Sequence, residues 1–352
     1  MTQRHHRSGH SPARHAVLWT ALALTMFLVL GMRPEYPGSD TWGEDSLLND
    51  VLEALGDSVP ELRFDDPTVT VEHGYNLVHK GFTIKKGGDT TRRISQHFVC
   101  TDCHNTVRED PDLRRSDPGN RLDYAVAHEL PFLQGTTLYG VVNRKTWYNG
   151  FYLEKYKPAA AEAHRDLARA VQLCASECSQ GRILNQWELR SVLTYLGSIG
   201  YRLGDLDLDT SLWRRLKRLS PDTALYSSLA RELGTHYLHG SPATLSPIPD
   251  IAEEGYRNAG DTSRGSFIYR LSCLHCHGSN GSADFELDYS PRSFKRLRAK
   301  SRRSTTKGLF HIILRGTNPN ERDTAYMPLY TRERLSLQQF YDLLAYIYTK
   351  SE

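Results

Sequence analysis

Cys100-Thr101-Asp102-Cys103-His104, echoed by Cys273-Leu274-His275-Cys276-His277, decides how the rest of this chain is read. Both segments are C-x-x-C-H, the spacing of c-type haem attachment. Two thiols two residues apart form thioethers to the two vinyl groups of one haem, and the adjacent imidazole becomes the proximal iron ligand. Two complete copies are not a chance product of six cysteines in 352 residues. Zinc is the bland alternative, but zinc pairs usually lack the immediately following histidine. The expectation is two covalently bound haems c, on Cys100, Cys103 and His104 and on Cys273, Cys276 and His277. His275, inside the second segment, reads as a spectator.

Working outward, each segment sits in a helical unit. Around the first, a helical stretch at Gly74 to Lys80 precedes the cysteines. An amphipathic run from Asn185 to Ile199 closes the unit, with Trp187, Leu189, Val192, Leu193 and Leu196 on one face. Around the second, Phe267, Ile268 and Leu271 mark an early helix, and a final helix is expected from Leu335 to Tyr348. The closing stretches "LRSVLTYLGSI" and "YDLLAYIYT" echo one another. Strand-like alternation is scarce. The expected fold is all-α, two cytochrome c-like domains in tandem after an N-terminal membrane anchor. The units span 71–201 and 251–352, each with a long irregular middle. Residues 33–70 read as a tether containing a short helical pattern near Leu47 to Leu55, and 202–250 as a connector with a helix at Asp222 to Leu233.

The N-terminal residues 1–32 form a targeting segment. Arg4, Arg7 and Arg14 precede an uncharged apolar run from Ala16 to Met32. As a helix that run reaches roughly 26 Å, at the short end of a bilayer span. Glu35, Asp40, Glu44 and Asp45 follow it, so the bulk of the chain is expected on the periplasmic side. A cleaved signal peptide is the alternative, although no A-x-A site follows the run. The net charge of +3 is small and gives no reason to expect nucleic acid.

The second unit resembles an ordinary small cytochrome c domain over most of its length. "GSFIYRLSCLHCHGSNG" matches that family's opening, and "AYMPLYTRERLSLQQFYDLLAYI" its close, where a Met-Pro pair precedes the terminal helix. The resemblance implies Met327 as the sixth ligand of the second haem, a thioether that raises the potential. A packing methionine is the plainer reading. The first haem has no such partner, because the other methionines are Met1, Met26 and Met32. That leaves His, Cys, Lys, a weaker donor or an open site.

Cys174 and Cys178 stand in "AVQLCASECSQGRILNQWELRSVLTYL", with no histidine after the pair, so they make no third haem site. A disulfide between them suits an α-helix poorly. The first unit resembles the haem domain shared by thiosulfate dehydrogenases and the larger haem subunit of the Sox thiosulfate-oxidising complex. "GYNLVHKGFTIKKGG" and "HFVCTDCHN" are similar to its approach to the haem. Cys174 matches the cysteine that supplies a thiolate to the iron, Gly181 a glycine, and Tyr195 the aromatic of the closing helix. Cys178 stands where that group tends to have serine. The resemblance implies Cys174 as sixth ligand and, if a substrate is turned over, as the catalytic position. Cys178 and the histidines His128 and His164 remain alternatives.

From Tyr289 to Asn320 there is no Asp or Glu, while Arg292, Lys295, Arg296, Arg298, Lys300, Arg302, Arg303 and Lys307 are basic. A solvated loop explains this, and so does a docking face that steers an acidic redox partner to the second haem. The expected function is membrane-tethered electron transfer between periplasmic redox partners. The alternative is an oxidoreductase of thiosulfate-dehydrogenase type, acting on thiosulfate or another small sulfur anion.

Overall fold

The computed structural model describes residues 42–218, 223–248, 260–320 and 323–352. The expected membrane segment from Ala16 to Met32 lies outside them. Among the described residues no helix is long and apolar enough to cross a membrane. The described chain is helical, with two isolated bridges, Leu47 to Arg202 and Ile84 to Thr90, in place of a sheet.

Local chemistry sets most helix ends. After α1 (Leu48–Ala54), α2 (Val71–Lys80) starts where the Thr70 side chain accepts from the His73 N–H, and it stops at Gly81 with φ 74°. Asp117 caps α3 (Pro118–Ala127), whose first residue is the proline that position favours. Three short helices follow, α4 (Phe151–Lys155), α5 (Ala159–Ala163) and α6 (Leu167–Leu173), the last running into a π-turn at Cys174–Cys178. A reciprocal cap between Asn185 and Glu188 opens α7 (Gln186–Ser198). Beyond it lie α8 (Thr210–Lys217) and α9 (Thr223–Leu233). In the second unit α10 (Thr262–Ile268) runs through another π-turn, Tyr269–Cys273, into α11 (Leu274–His277). Then come α12 (Pro291–Ser301), α13 (Leu309–Arg315) and α14 (Leu337–Lys350), which Ser336 and Gln339 cap. The middle of the second unit, expected to be irregular, thus contains α12 and α13.

The echo read in the sequence is a packing motif. α2 crosses α7, and α10 crosses α14. Each crossing is closed by a glycine on the earlier helix. A Cβ at Gly74 would stand 2.0 Å from the Ser191 carbonyl oxygen and 2.6 Å from Tyr195 Cβ. A Cβ at Gly265 would stand 2.0 Å from the Asp342 carbonyl oxygen and 2.8 Å from Tyr346 Cβ. In both, a glycine lets two helix backbones touch beside a tyrosine one turn further along the closing helix.

Two expected spacers are packed instead. Leu48, Val51 and Leu52 of the tether bury against Leu212 and Leu216 of α8 and Leu229 and Leu233 of α9. Each such side chain contributes about 1.5–3 kcal/mol when fully buried, enough to hold both segments down. The two helical units also interlock. Leu122, Ala125 and Phe132, which precede Tyr201, join the apolar cluster of α10, α12, α13 and α14. A buried ionic group spans the same seam. Arg334 donates to Glu109 at 2.7 Å and to the Leu133 carbonyl, while Arg121 donates to the Arg334 carbonyl and lies 4.0 Å from Glu109. Burial alone would raise the Glu109 carboxyl, but Arg334 and Arg121 hold it down at about 2.

Candidate functional site: two C-x-x-C-H segments in contact

The first segment forms a tight turn at Cys100–Asp102, with the Val99 N–H bound to the Asp102 carboxylate at 2.7 Å. His104 follows, and its Nδ1 lies 2.6 Å from the Thr136 carbonyl oxygen. That bond fixes the ring and leaves Nε2 for a metal, the orientation that ligating histidines need. The loop that supplies the carbonyl must come close to the ring. A Cβ at Gly135 would sit 2.6 Å from both His104 Cε1 and Nδ1, so only glycine fits. Burial lowers the imidazole's proton affinity and keeps it in the neutral, ligating form.

The second segment repeats this device. His277 is buried, and its Nδ1 lies 3.1 Å from the Phe285 carbonyl oxygen. The Phe285 ring packs on the imidazole at 4.4 Å between centroids, and Arg296 lies 4.5 Å from the centre of the same ring. Met327 packs against the apolar cluster that also holds Cys273 and Leu274. It is pinned by Thr317, whose Oγ1 accepts from the Met327 N–H and whose N–H donates to the Met327 carbonyl.

A cavity of about 260 Å³ opens on the first segment. Cys100, Cys103 and His104 form one part of its wall, and Cys174, Ala175 and Cys178 another. The rest is mainly apolar, including Leu77, Val78, Leu138 and Leu196, with Tyr326, Pro328 and Leu329 from the second unit. A haem attached through Cys100 and Cys103 suits this space: an apolar slot with an oriented imidazole at one place and sulfur donors at another. All six cysteines are free thiols, so Cys174 and Cys178 are not joined in a disulfide. Among the described residues no group of three or more His, Cys, Asp and Glu side chains comes together as a zinc site would need.

Cys174 and Cys178 share the π-turn and hydrogen-bond to one another. Cys174 is pushed far up by that bond and by burial. Cys178 is brought down to about 7 by the bond from Cys174, against the pull of burial, with further bonds from Tyr148 and Tyr156 and the positive charge of Lys155. The Tyr148 hydroxyl lies 3.5 Å from Cys178 Sγ. The turn is held against the rest of the unit by Gly181, where a Cβ would come 2.4 Å from the Ile94 carbonyl oxygen. Tyr195 binds His79 Nε2 at 3.1 Å on α2. His128 is exposed and lies against Tyr124, and His164 Nδ1 is 2.9 Å from the Trp147 carbonyl oxygen. Neither histidine is part of the cavity wall, so the two cysteines are the soft donors there.

The two segments touch. Cys276 Sγ lies 3.8 Å from the Asp102 carbonyl oxygen, between the cysteines of the first segment. His275 hydrogen-bonds the Thr101 backbone and feels the Asp102 carboxylate. Phe132 holds the seam on either side: its N–H donates to the Leu271 carbonyl at 3.0 Å, and its carbonyl accepts from Ser272 Oγ at 2.7 Å. Tyr148, Lys155, Tyr156 and Tyr326 were not picked out by sequence reading. The unusual run "TWYNGFYLEKY" was the only signal for the first three, and nothing local marks Tyr326. Comparison with family models, with curated proteins and with solved structures finds no match for this chain.

Proposed function

We propose that this chain is a dihaem c-type cytochrome, tethered to a membrane by its N-terminal segment and working in the periplasm as an electron-transfer protein. One observation carries the reading: the two C-x-x-C-H segments meet, Cys276 against the Asp102 carbonyl and His275 against Thr101. Haem supplies one-electron exchange at its iron when bound. Around it the chain's own groups divide the work. The Thr136 and Phe285 carbonyls aim Nε2 of His104 and His277, and the apolar walls keep water away. Direct contact between the segments favours exchange between the two centres over loss to solvent.

Arg292, Lys295, Arg296, Arg302, Arg303 and Lys307 are exposed on or just after α12, and Arg296 covers Phe285 beside His277. This supports the second haem as the one presented to an acidic partner. The test is intact-protein mass on exported material, followed by an optical redox titration. Two covalent haem additions and two interacting midpoints are expected. A single addition, or two independent midpoints, would refute the paired arrangement.

The enzymatic reading, an oxidoreductase of thiosulfate-dehydrogenase type, draws support from one feature. Cys174 and Cys178 stand with Lys155 in the wall of the cavity that contains His104. Thiosulfate-dependent reduction of the protein, lost on Cys174→Ala, is the expected result under that reading. Reduction at the uncatalysed rate would remove it.

A further inference from the structure

The cavity beside His104 has no Asp or Glu in its wall, yet Arg144, Lys155 and Arg334 all border it. A second, polar cavity of about 40 Å³ adjoins the first, and Thr136, Arg144, Ser241 and Arg334 border both. The charges at this junction do not balance. Arg108 lies 3.9 Å from Asp205, and Arg115 has Asp112 at 2.8 Å. Arg121, Arg144 and Arg334 remain, facing Glu109 and Asp110. Burial, and then Glu109, pushes the Asp110 carboxyl toward its neutral form. Even with both carboxyls ionised, the three guanidinium groups outnumber them and leave a positive charge in excess.

Arg144 is the clearest case. Its Nη1 donates to Thr136 Oγ1 and its Nη2 to the Thr137 carbonyl, both at 2.8 Å, and it reaches the Tyr201 side chain. All these acceptors are neutral. Among the described residues no carboxylate lies within ion-pair distance of it. A half-buried guanidinium with no carboxylate in contact is costly, and an arrangement of five fixed donors suits carboxylates.

We propose that Arg144, with Arg334, Thr136 and Ser241, is a carboxylate site that takes the two propionate groups of a haem bound through Cys100, Cys103 and His104. The propionates supply the negative charge that Arg144 lacks. They leave the porphyrin from the half opposite the vinyl groups that the cysteines capture, so the site also sets the ring's orientation. Lys155, grouped with Tyr148, Tyr156 and Cys178, stays free of the propionates. The inference rests on the proposed haem at the first segment.

The test uses the full haem-loaded protein and compares Arg144→Gln, Arg144→Lys and Lys155→Gln. Removing a charge-assisted contact to a propionate should lower the first haem's equilibrium constant for reduction roughly tenfold, because the ferric form gains relative stability. Arg144→Lys should restore most of it, and the second haem should move far less. The propionate bending band in resonance Raman should shift in Arg144→Gln only. An unmoved first haem, equal shifts in both haems, or a larger effect from Lys155→Gln would overturn the assignment. A mass without haem additions removes the proposed cofactor and this inference together. Two haem additions with a silent Arg144→Gln remove this inference alone.

Discussion

The surroundings of His104 and those of His277 differ more than their shared scaffold suggests. Both imidazoles follow a C-x-x-C pair, both give Nδ1 to a backbone carbonyl, and both lie in units closed by a glycine-mediated helix crossing. Yet His104 faces a cavity walled by thiols, phenols and basic side chains, from both units. His277 instead lies under Phe285, which is 37% exposed at the edge of a basic helix. One scaffold therefore serves two ends. Its first copy opens on a chemically furnished cavity, and its second lies beside an exposed basic helix.

The broadest way to break that comparison is to attack what the copies share. Gly74→Ala and Gly265→Ala each place a Cβ 2.0 Å from a backbone oxygen that a side-chain rotation cannot move. Each is expected to destabilise by about 3 kcal/mol or more, read by denaturant unfolding. A large loss in one and none in the other would show that the crossings are not equivalent. Glu109→Gln, at the seam between the units, should cost about 3–5 kcal/mol by stranding Arg334 and Arg121. The pH dependence has a definite sign. Because Glu109 is held at about 2 when folded, against 4.5 ordinarily, its contribution is complete above 4.5. It is lost as pH falls from there through 2, and in Glu109→Gln this acid-induced loss should shrink.

The copies are separated by their sulfur donors. Resemblance puts Cys174 on the first iron, whereas the hydrogen bonds gathered on Cys178 make that sulfur the better thiolate in the protein alone. Cys174→Ala is expected to abolish a low-spin thiolate spectrum and raise the first haem's midpoint, while Cys178→Ala shifts both only slightly. The reverse order would move the ligand to Cys178, and two silent variants would end the thiolate assignment. At the other centre, Met327→His should lower only the second midpoint; an unaltered titration would leave Met327 as packing. The smallest expected effect is at the surface. Electron exchange with an acidic partner should slow several-fold between low and physiological salt, and Arg296→Glu should flatten that dependence. Salt-independent rates would return α12 to plain solvation.

Much of this was legible because it is local. C-x-x-C-H is complete within five residues, and the caps at Asn185 and Ser336 announce α7 and α14 within one turn. Helix content and the repeated helix-and-motif order follow from patterns only a few residues long. What escaped depends on groups far apart in the chain. The Arg334–Glu109 pair joins residues 225 positions apart, and Cys276 meets Asp102 across 174. Residues 33–70 read as a tether because they are rich in Pro, Gly and Asp, although the few leucines of α1 find partners in α8 and α9. No periodicity encodes such meetings. The two C-x-x-C-H segments were determined by sequence alone, through their spacing. Their contact, and the unequal walls around them, were decided by the tertiary fold, because burial and charge balance are set by which distant side chains share a space.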